Sequence, residues 1–191
     1  MTQNNDLRMM VYASLMAALT AAGAYIAIPI GPVPIVMQNF FVMLTGLLLG
    51  WRWSLAAVAV YLLAGAVGLP VFAGGAGGIG RFAGPTGGYL MAYLPAVFII
   101  GCLSAKGRGR LAVDLLALAM GAITIYALGV PWLKLVTGIP WDKAAMLGMA
   151  PFLPGDALKI AAAAAVAKAL RPVIPTATVA GRPAAARPAA R

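Results

Sequence analysis

Residues 9–51 contain no charged side chain. A helix needs about 20 mostly apolar residues to cross a hydrocarbon core of about 30 Å, so this one stretch is long enough to cross twice. Pro29, Gly31, Pro32 and Pro34 divide it, since proline removes a backbone donor and clashes with the preceding turn. The first two spans are therefore expected near 9–28 and 35–50. The first apolar run is too long for the core of a cleavable leader, so it is expected to stay as a helix.

The rest of the chain repeats the pattern. Arg52 marks a short turn before a third span near 53–69, and a Gly-rich loop fills about 70–86. A fourth span is expected over 87–105 and a fifth over 111–130, separated by the basic turn holding Lys106, Arg108 and Arg110. Pro131 opens a second long connection, and the sixth span runs from Pro154 to Leu170. That last helix would rise only about 24 Å, short of the core thickness, so residues 144–153 are expected to fold over its start as a cap. Residues 1–171 thus form one domain, and the Pro, Ala and Arg of 172–191 have nothing to bury and are expected to be disordered.

Composition agrees with an all-α membrane protein of six transmembrane helices. Hydrophobic residues make up 63% of the chain and charged residues 9%, against about a quarter charged in a soluble domain, so the lipid bilayer must cover the surface. The net charge of +10 is a topology signal rather than a nucleic-acid signal. Ten Lys and Arg fall on the side of the termini (Arg8, Arg52, Lys106, Arg108, Arg110, Lys168, Arg171, Arg182, Arg187, Arg191) and three on the other (Arg81, Lys134, Lys143). Lys and Arg accumulate on the cytoplasmic side. Both termini are then cytoplasmic, and the long loops between helices 3 and 4 and helices 5 and 6 face outward.

The chain has neither His nor Glu, and Cys102 is its single cysteine. The commonest general base and zinc ligand is missing, so no metal, no cofactor and no enzymatic activity is expected. Gly75, Gly77 and Gly80 make a formal G-x-G-x-x-G, but it follows a membrane helix rather than a strand, and no acid lies about 20 residues on. ATP hydrolysis, if transport needs it, must come from another subunit.

Four places can carry recognition. Asp156 and Lys159 are three apart on one face of the last helix, and intramembrane charges usually face a cavity or the bundle interior; the alternative is a self-neutralising pair that orients the helix. Arg81 lies in the outward Gly-rich loop, either at a ligand or anchored among headgroups. The neighbouring glycines, Gly75 among them, would let backbone approach a ligand closely. Gln38 and Asn39 open the second span on the outer side, and Tyr89 opens the fourth; amides between helices and belt aromatics are the plainer alternatives. Ala13, Ala17 and Ala21 make a stripe of small residues that permits close helix contact.

Four segments, in order and compatibly spaced, resemble one family. Gly31-Pro32-Val33-Pro34-Ile35 with Gln38, the run from Gly68 to Gly75, Gly84-Pro85-Thr86-Gly87-Gly88-Tyr89, and Pro151-Phe152-Leu153-Pro154-Gly155-Asp156 with Lys159 are similar to BioY proteins, the biotin-specific S-components of energy-coupling factor transporters. The resemblance implies a six-helix subunit of the bacterial cytoplasmic membrane that binds biotin in an outward pocket roofed by loops. It implies as partners a transmembrane coupling protein and two cytoplasmic ATPases, with Ala13 and Ala17 at the coupling-protein contact, and it is compatible with a homo-oligomer. Valerate is an anion for Lys159 or Arg81, and the ureido ring wants groups such as Asp156 and Gln38. An S-component for another vitamin, or a secondary transporter acting alone, would share much of this pattern.

Overall fold

The computed structural model describes residues 2–29, 31–107 and 109–174. It is helical except for one small hairpin. The helices are α1 (Thr2–Tyr25), α2 (Gln38–Ala66), α3 (Gly80–Ala83), α4 (Gly87–Gly107), α5 (Leu111–Thr137), α6 (Trp141–Gly148) and α7 (Leu153–Leu170). Strands β1 (Ala27–Ile28) and β2 (Ile35–Val36) pair antiparallel between α1 and α2, with Ala27 opposite Val36 and Ile28 opposite Ile35. The first helix thus ends at Tyr25, three residues before its expected limit, because the chain turns into this hairpin through Gly31 at φ +68°.

Four helices (α1, α2, α4 and α5) are long and apolar enough to cross a membrane, and α6 with α7, bent by 43°, add a fifth candidate. Helix α2 is not one rod. Gly50 has φ +69° and ψ 171° inside it, and the Ser54 hydroxyl donates to the Thr45 carbonyl at 2.8 Å. Nine residues of continuous helix would separate those groups by about 13 Å along the axis, so the chain reverses at Gly50, two residues before the turn expected at Arg52. Glycine is required at the reversal for its positive φ. A second glycine lets α4 reach it: a Cβ on Gly101 would lie 2.5 Å from the Trp51 backbone nitrogen.

The largest departure from expectation is in α5. Pro131 was expected to end it, yet the helix continues to Thr137 and stops at Gly138, which is left-handed (φ +70°) and donates its N–H to the Lys134 carbonyl at 2.9 Å. Packing beyond the proline outweighs the lost hydrogen bond. Leu133 is fully buried, and Trp132 seats its Cβ against Gly88 and donates its indole N–H to the Gly84 carbonyl at 3.0 Å. The connection that follows is helical over α6, which packs against α5 and meets α7 at a bend of 43°.

The bundle core has two connected regions. One, around Val58, Tyr61, Phe72 and Tyr93, lies toward the end formed by the hairpin, α3 and α6. The other, around Met43, Leu48, Ile100 and Leu118, lies toward the end formed by the Gly50 reversal and the α4–α5 turn. Outward positions of the long helices remain strongly apolar, among them Val60, Leu63, Leu116, Ile123 and Leu135. Such an exterior suits lipid. The disordered tail expected over 172–191 lies outside the described residues from 175 onward. Its first three residues continue the fold: Ile174 is buried in the second core region, and its N–H reaches the Leu170 carbonyl at 3.0 Å.

The small-residue stripe of α1 needs correction. Ala13 and Ala17 are 6% and 8% exposed and pack inside the bundle, so they are not available to another protein in this fold. The small residues that α1 turns outward are Ser14, Ala18 and Ala22. The helix is apolar nearly all round, and its sequence alone did not reveal its rotation.

Candidate binding site

A cavity of about 780 Å³, its mouth included, lies at the end of the bundle formed by the hairpin and the loop before α4. Three irregular segments enclose it. Pro32, Val33, Pro34 and Val36 come from the hairpin, Phe72, Ala73 and Ala76 from the segment after α2, and Gly148 and Phe152 from the elbow between α6 and α7. Prolines hold the hairpin turn without donors that need partners. The carbonyl of Gly148 accepts the Tyr89 hydroxyl at 2.8 Å, which ties the elbow to the first turn of α4. A Cβ on Gly148 would meet that hydroxyl at 2.4 Å.

The polar side chains converge from the long helices. Gln38 lines the cavity from the first turn of α2 and is 2% exposed. Its Nε2 has no hydrogen-bond partner. A buried amide donor without a partner is costly, and in a cavity wall it is a ready donor for a ligand oxygen. Next to it Asn39 accepts the Tyr93 hydroxyl at 2.6 Å. Tyr126 reaches the cavity from α5 and donates its hydroxyl to Asp156 Oδ2. Arg81 stands at the mouth, exposed.

Asp156 and Lys159 lie one layer behind the wall. Lys159 Nζ donates to Asp156 Oδ1 at 3.0 Å and to the Val36 carbonyl at 2.9 Å. Their side chains are 5% and 11% exposed. The pair therefore joins α7 to the hairpin, and Tyr126, which lines the cavity, donates its hydroxyl to the carboxylate. The two charges pair with each other, and neither lines the cavity.

Of the sequence-derived residues, Gln38, Tyr89 and Arg81 line the cavity, and Asp156 and Lys159 back it. Gly75 is the exception. It is left-handed (φ +74°), faces the Tyr25 ring, and serves the turn, while its neighbours Ala73 and Ala76 supply the wall. Sequence reasoning missed Phe72, Tyr93, Tyr126 and Phe152. Tyr93 had a signal, being one helical turn from Tyr89 on the same face. Tyr126 had none, since its partner is 30 residues away.

A second buried polar cluster sits at the other end of the same helices. Arg171, just after α7, holds Asp114 of α5 through Nη1 to Oδ2 at 2.6 Å and Nη2 to Oδ1 at 2.8 Å. Ser104 of α4 accepts from Nη2 at 2.9 Å and donates to Asp114 Oδ1 at 2.9 Å. Paired in this two-pronged way, a guanidinium and a carboxylate satisfy each other's directional requirements. Three helix ends are joined. Among the described residues no group of His, Cys, Asp or Glu could hold a metal ion.

A helical bundle with an apolar exterior and a loop-roofed cavity near one end, partly polar in its lining, is the form of a membrane protein that captures a small solute. The chain belongs to the BioY family, whose profile matches residues 1–176. It is 44% identical over 158 residues to a probable biotin transporter BioY of Pyrococcus horikoshii, covering 83% of this chain and 93% of that one. It is 41% identical over 165 residues to the biotin transporter BioY of Thermotoga maritima, covering 86% and 96%. The crystal structure of the S-component for biotin from an ECF-type ABC transporter superposes with a TM-score of 0.84 at 33% identity, covering 90% of this chain and 95% of that one. These relatives are transport proteins.

Proposed function

We propose that this chain is the biotin-capturing S-component of an ECF-type transporter and takes biotin up across the cytoplasmic membrane of a bacterium. It is a transport subunit and not an enzyme. The observation that carries the reading is the cavity whose wall holds an unpartnered Gln38 amide and whose rear holds the Asp156–Lys159 pair. Biotin offers two N–H donors and a carbonyl on its ureido ring, an apolar bicycle, and a carboxylate on a flexible chain. The ureido end belongs deep in the cavity. There Asp156 is the acceptor and Gln38 the donor, while Phe72, Val33 and Phe152 cover the bicycle. The carboxylate belongs at the mouth, because Lys159 is already neutralised and a second anion beside Asp156 would be repelled. Arg81 is the cation at that mouth.

In the membrane, α2 counts as two spans on either side of Gly50, and α7 with its elbow as one, for six in all. Arg8, Arg52, Lys106, Arg110 and Lys168 stand at the end opposite the cavity, which favours a cytoplasmic assignment for that end and for both termini. The cavity then opens outward. Transport requires partners that hydrolyse ATP, a transmembrane coupling protein with two ATPases. The outward small-residue stripe Ser14, Ala18 and Ala22 is the proposed surface of α1 for the coupling protein, since small side chains let helix backbones approach closely. Replacing Ala18 by leucine is expected to cut co-purification with the coupling module by about tenfold, a penalty of about 1.4 kcal/mol, while biotin affinity stays unchanged. Equal loss of both would place Ala18 in internal packing instead.

The reading is tested by equilibrium binding of biotin to the purified protein in detergent, with riboflavin, thiamine and a biotin amide as competitors. Tight binding of biotin that only the amide weakly contests supports it. A folded protein that ignores biotin but takes another vitamin would keep the architecture and change the substrate.

A further inference from the structure

Asp156 is the acceptor that the proposed site offers to the ureido N–H groups, yet in this structure neither of its oxygens faces the cavity. Oδ1 is taken by Lys159 at 3.0 Å and Oδ2 by the Tyr126 hydroxyl. Asp156 is 4% exposed and absent from the cavity wall, where Tyr126 stands instead. The two residues come from different helices, α5 and α7, so nothing in local sequence forces the contact. We propose that Tyr126 is a placeholder: its hydroxyl satisfies Asp156 Oδ2 in the ligand-free protein and gives up that oxygen to a ligand N–H on binding. This inference rests on the biotin reading of the site.

The physics favours a dedicated partner. Asp156 is 4% exposed, and a carboxylate oxygen so buried is costly without a donor. Tyr126 removes that penalty without adding a charge. It is half-buried rather than fully packed, and only its side-chain torsions need change for the hydroxyl to leave. The cost of breaking this bond then comes out of ligand affinity, because a ligand's apparent binding is reduced by whatever stabilises the free state alone. The arrangement also favours solutes with an N–H donor at that point. One that presents only acceptors or apolar atoms cannot replace the hydroxyl and would leave the carboxylate unsatisfied.

The test is biotin affinity and thermal stability of the unaltered protein and of Tyr126→Phe, each with and without biotin. The placeholder predicts that Tyr126→Phe melts at a lower temperature when ligand-free, matches the unaltered protein when biotin is bound, and binds biotin about tenfold more tightly. Unchanged or weaker binding by a folded Tyr126→Phe overturns it and makes the hydroxyl a ligand contact or a structural bond. Tyr126→Leu carries the same expectation for affinity and serves if the phenylalanine variant does not fold. Failure of the unaltered protein to bind biotin would overturn the substrate reading, a different outcome from a variant that binds less well than its parent.

Discussion

Asp156→Asn and Lys159→Ala are each expected to weaken biotin binding by about 100-fold while the protein still inserts and purifies as a monodisperse species. The two side chains are 5% and 11% exposed and 3.0 Å apart, so each is the other's main counter-charge. Removing one partner of a buried ion pair costs about 3–5 kcal/mol, because the remaining charge has neither water nor partner. In Lys159→Ala the orphan is Asp156, which keeps Tyr126 as donor but holds a bare negative charge facing the hairpin. In Asp156→Asn the orphan is Lys159, which keeps neutral acceptors, the Val36 carbonyl and the amide oxygen, but loses its counter-charge. Lys159→Ala also removes the tie between α7 and the hairpin, the bond from Lys159 to the Val36 carbonyl. Titration calorimetry with biotin measures the loss directly, and size-exclusion profiles separate it from unfolding. Normal affinity in both variants would remove the pair from the site and return it to the role of a helix-orienting contact.

The second large effect concerns stability at the opposite end. Arg171→Leu is expected to lower the melting temperature by about 10 °C, from an uncompensated Asp114 costing about 3–5 kcal/mol. The Asp114 side chain is 2% exposed and that of Arg171 18%, so the acid has no water to turn to. Ser104 alone can donate one hydrogen bond to it. The double variant Asp114→Leu with Arg171→Leu is expected to recover most of the loss, because two apolar side chains replace a satisfied pair without leaving a charge behind. Biotin affinity should change by less than about twofold in the double variant, since the cluster and the cavity are at different ends of α4, α5 and α7. A double variant as unstable as the single one would show that the cluster positions these helices by direction and not only by charge balance.

Several features were open to reading before any coordinates. Runs of about 20 apolar residues must span or be buried, so the long helices could be located, and the reversal inside α2 was placed within two residues. Asp156 and Lys159 stood out because charge inside an apolar helix is expensive and seldom idle. Gln38 and Tyr89, which line the cavity, stood out by their place at the starts of helices. Pro131 was misread for a physical reason. A local rule prices its lost hydrogen bond, while the seat of Trp132 against Gly88 depends on α4, more than 40 residues earlier, and Leu133 packs against Gly148 of α6.

What the chain's order of residues determined was the solvent it lives in, the approximate course of its long apolar helices, and the presence of a charged pair inside one of them. These follow from local quantities, since hydropathy, proline and charge act within a helix's own length. The rotation of each helix and the partners of each polar group were decided only by the tertiary structure. Helix α1 is apolar on nearly every face, so its sequence had no preference between presenting Ala13 and Ala17 or Ser14 and Ala18; packing against α2 made the choice. Tyr126 became part of the site because α5 and α7 place it against Asp156, a contact 30 residues apart for which no local rule exists.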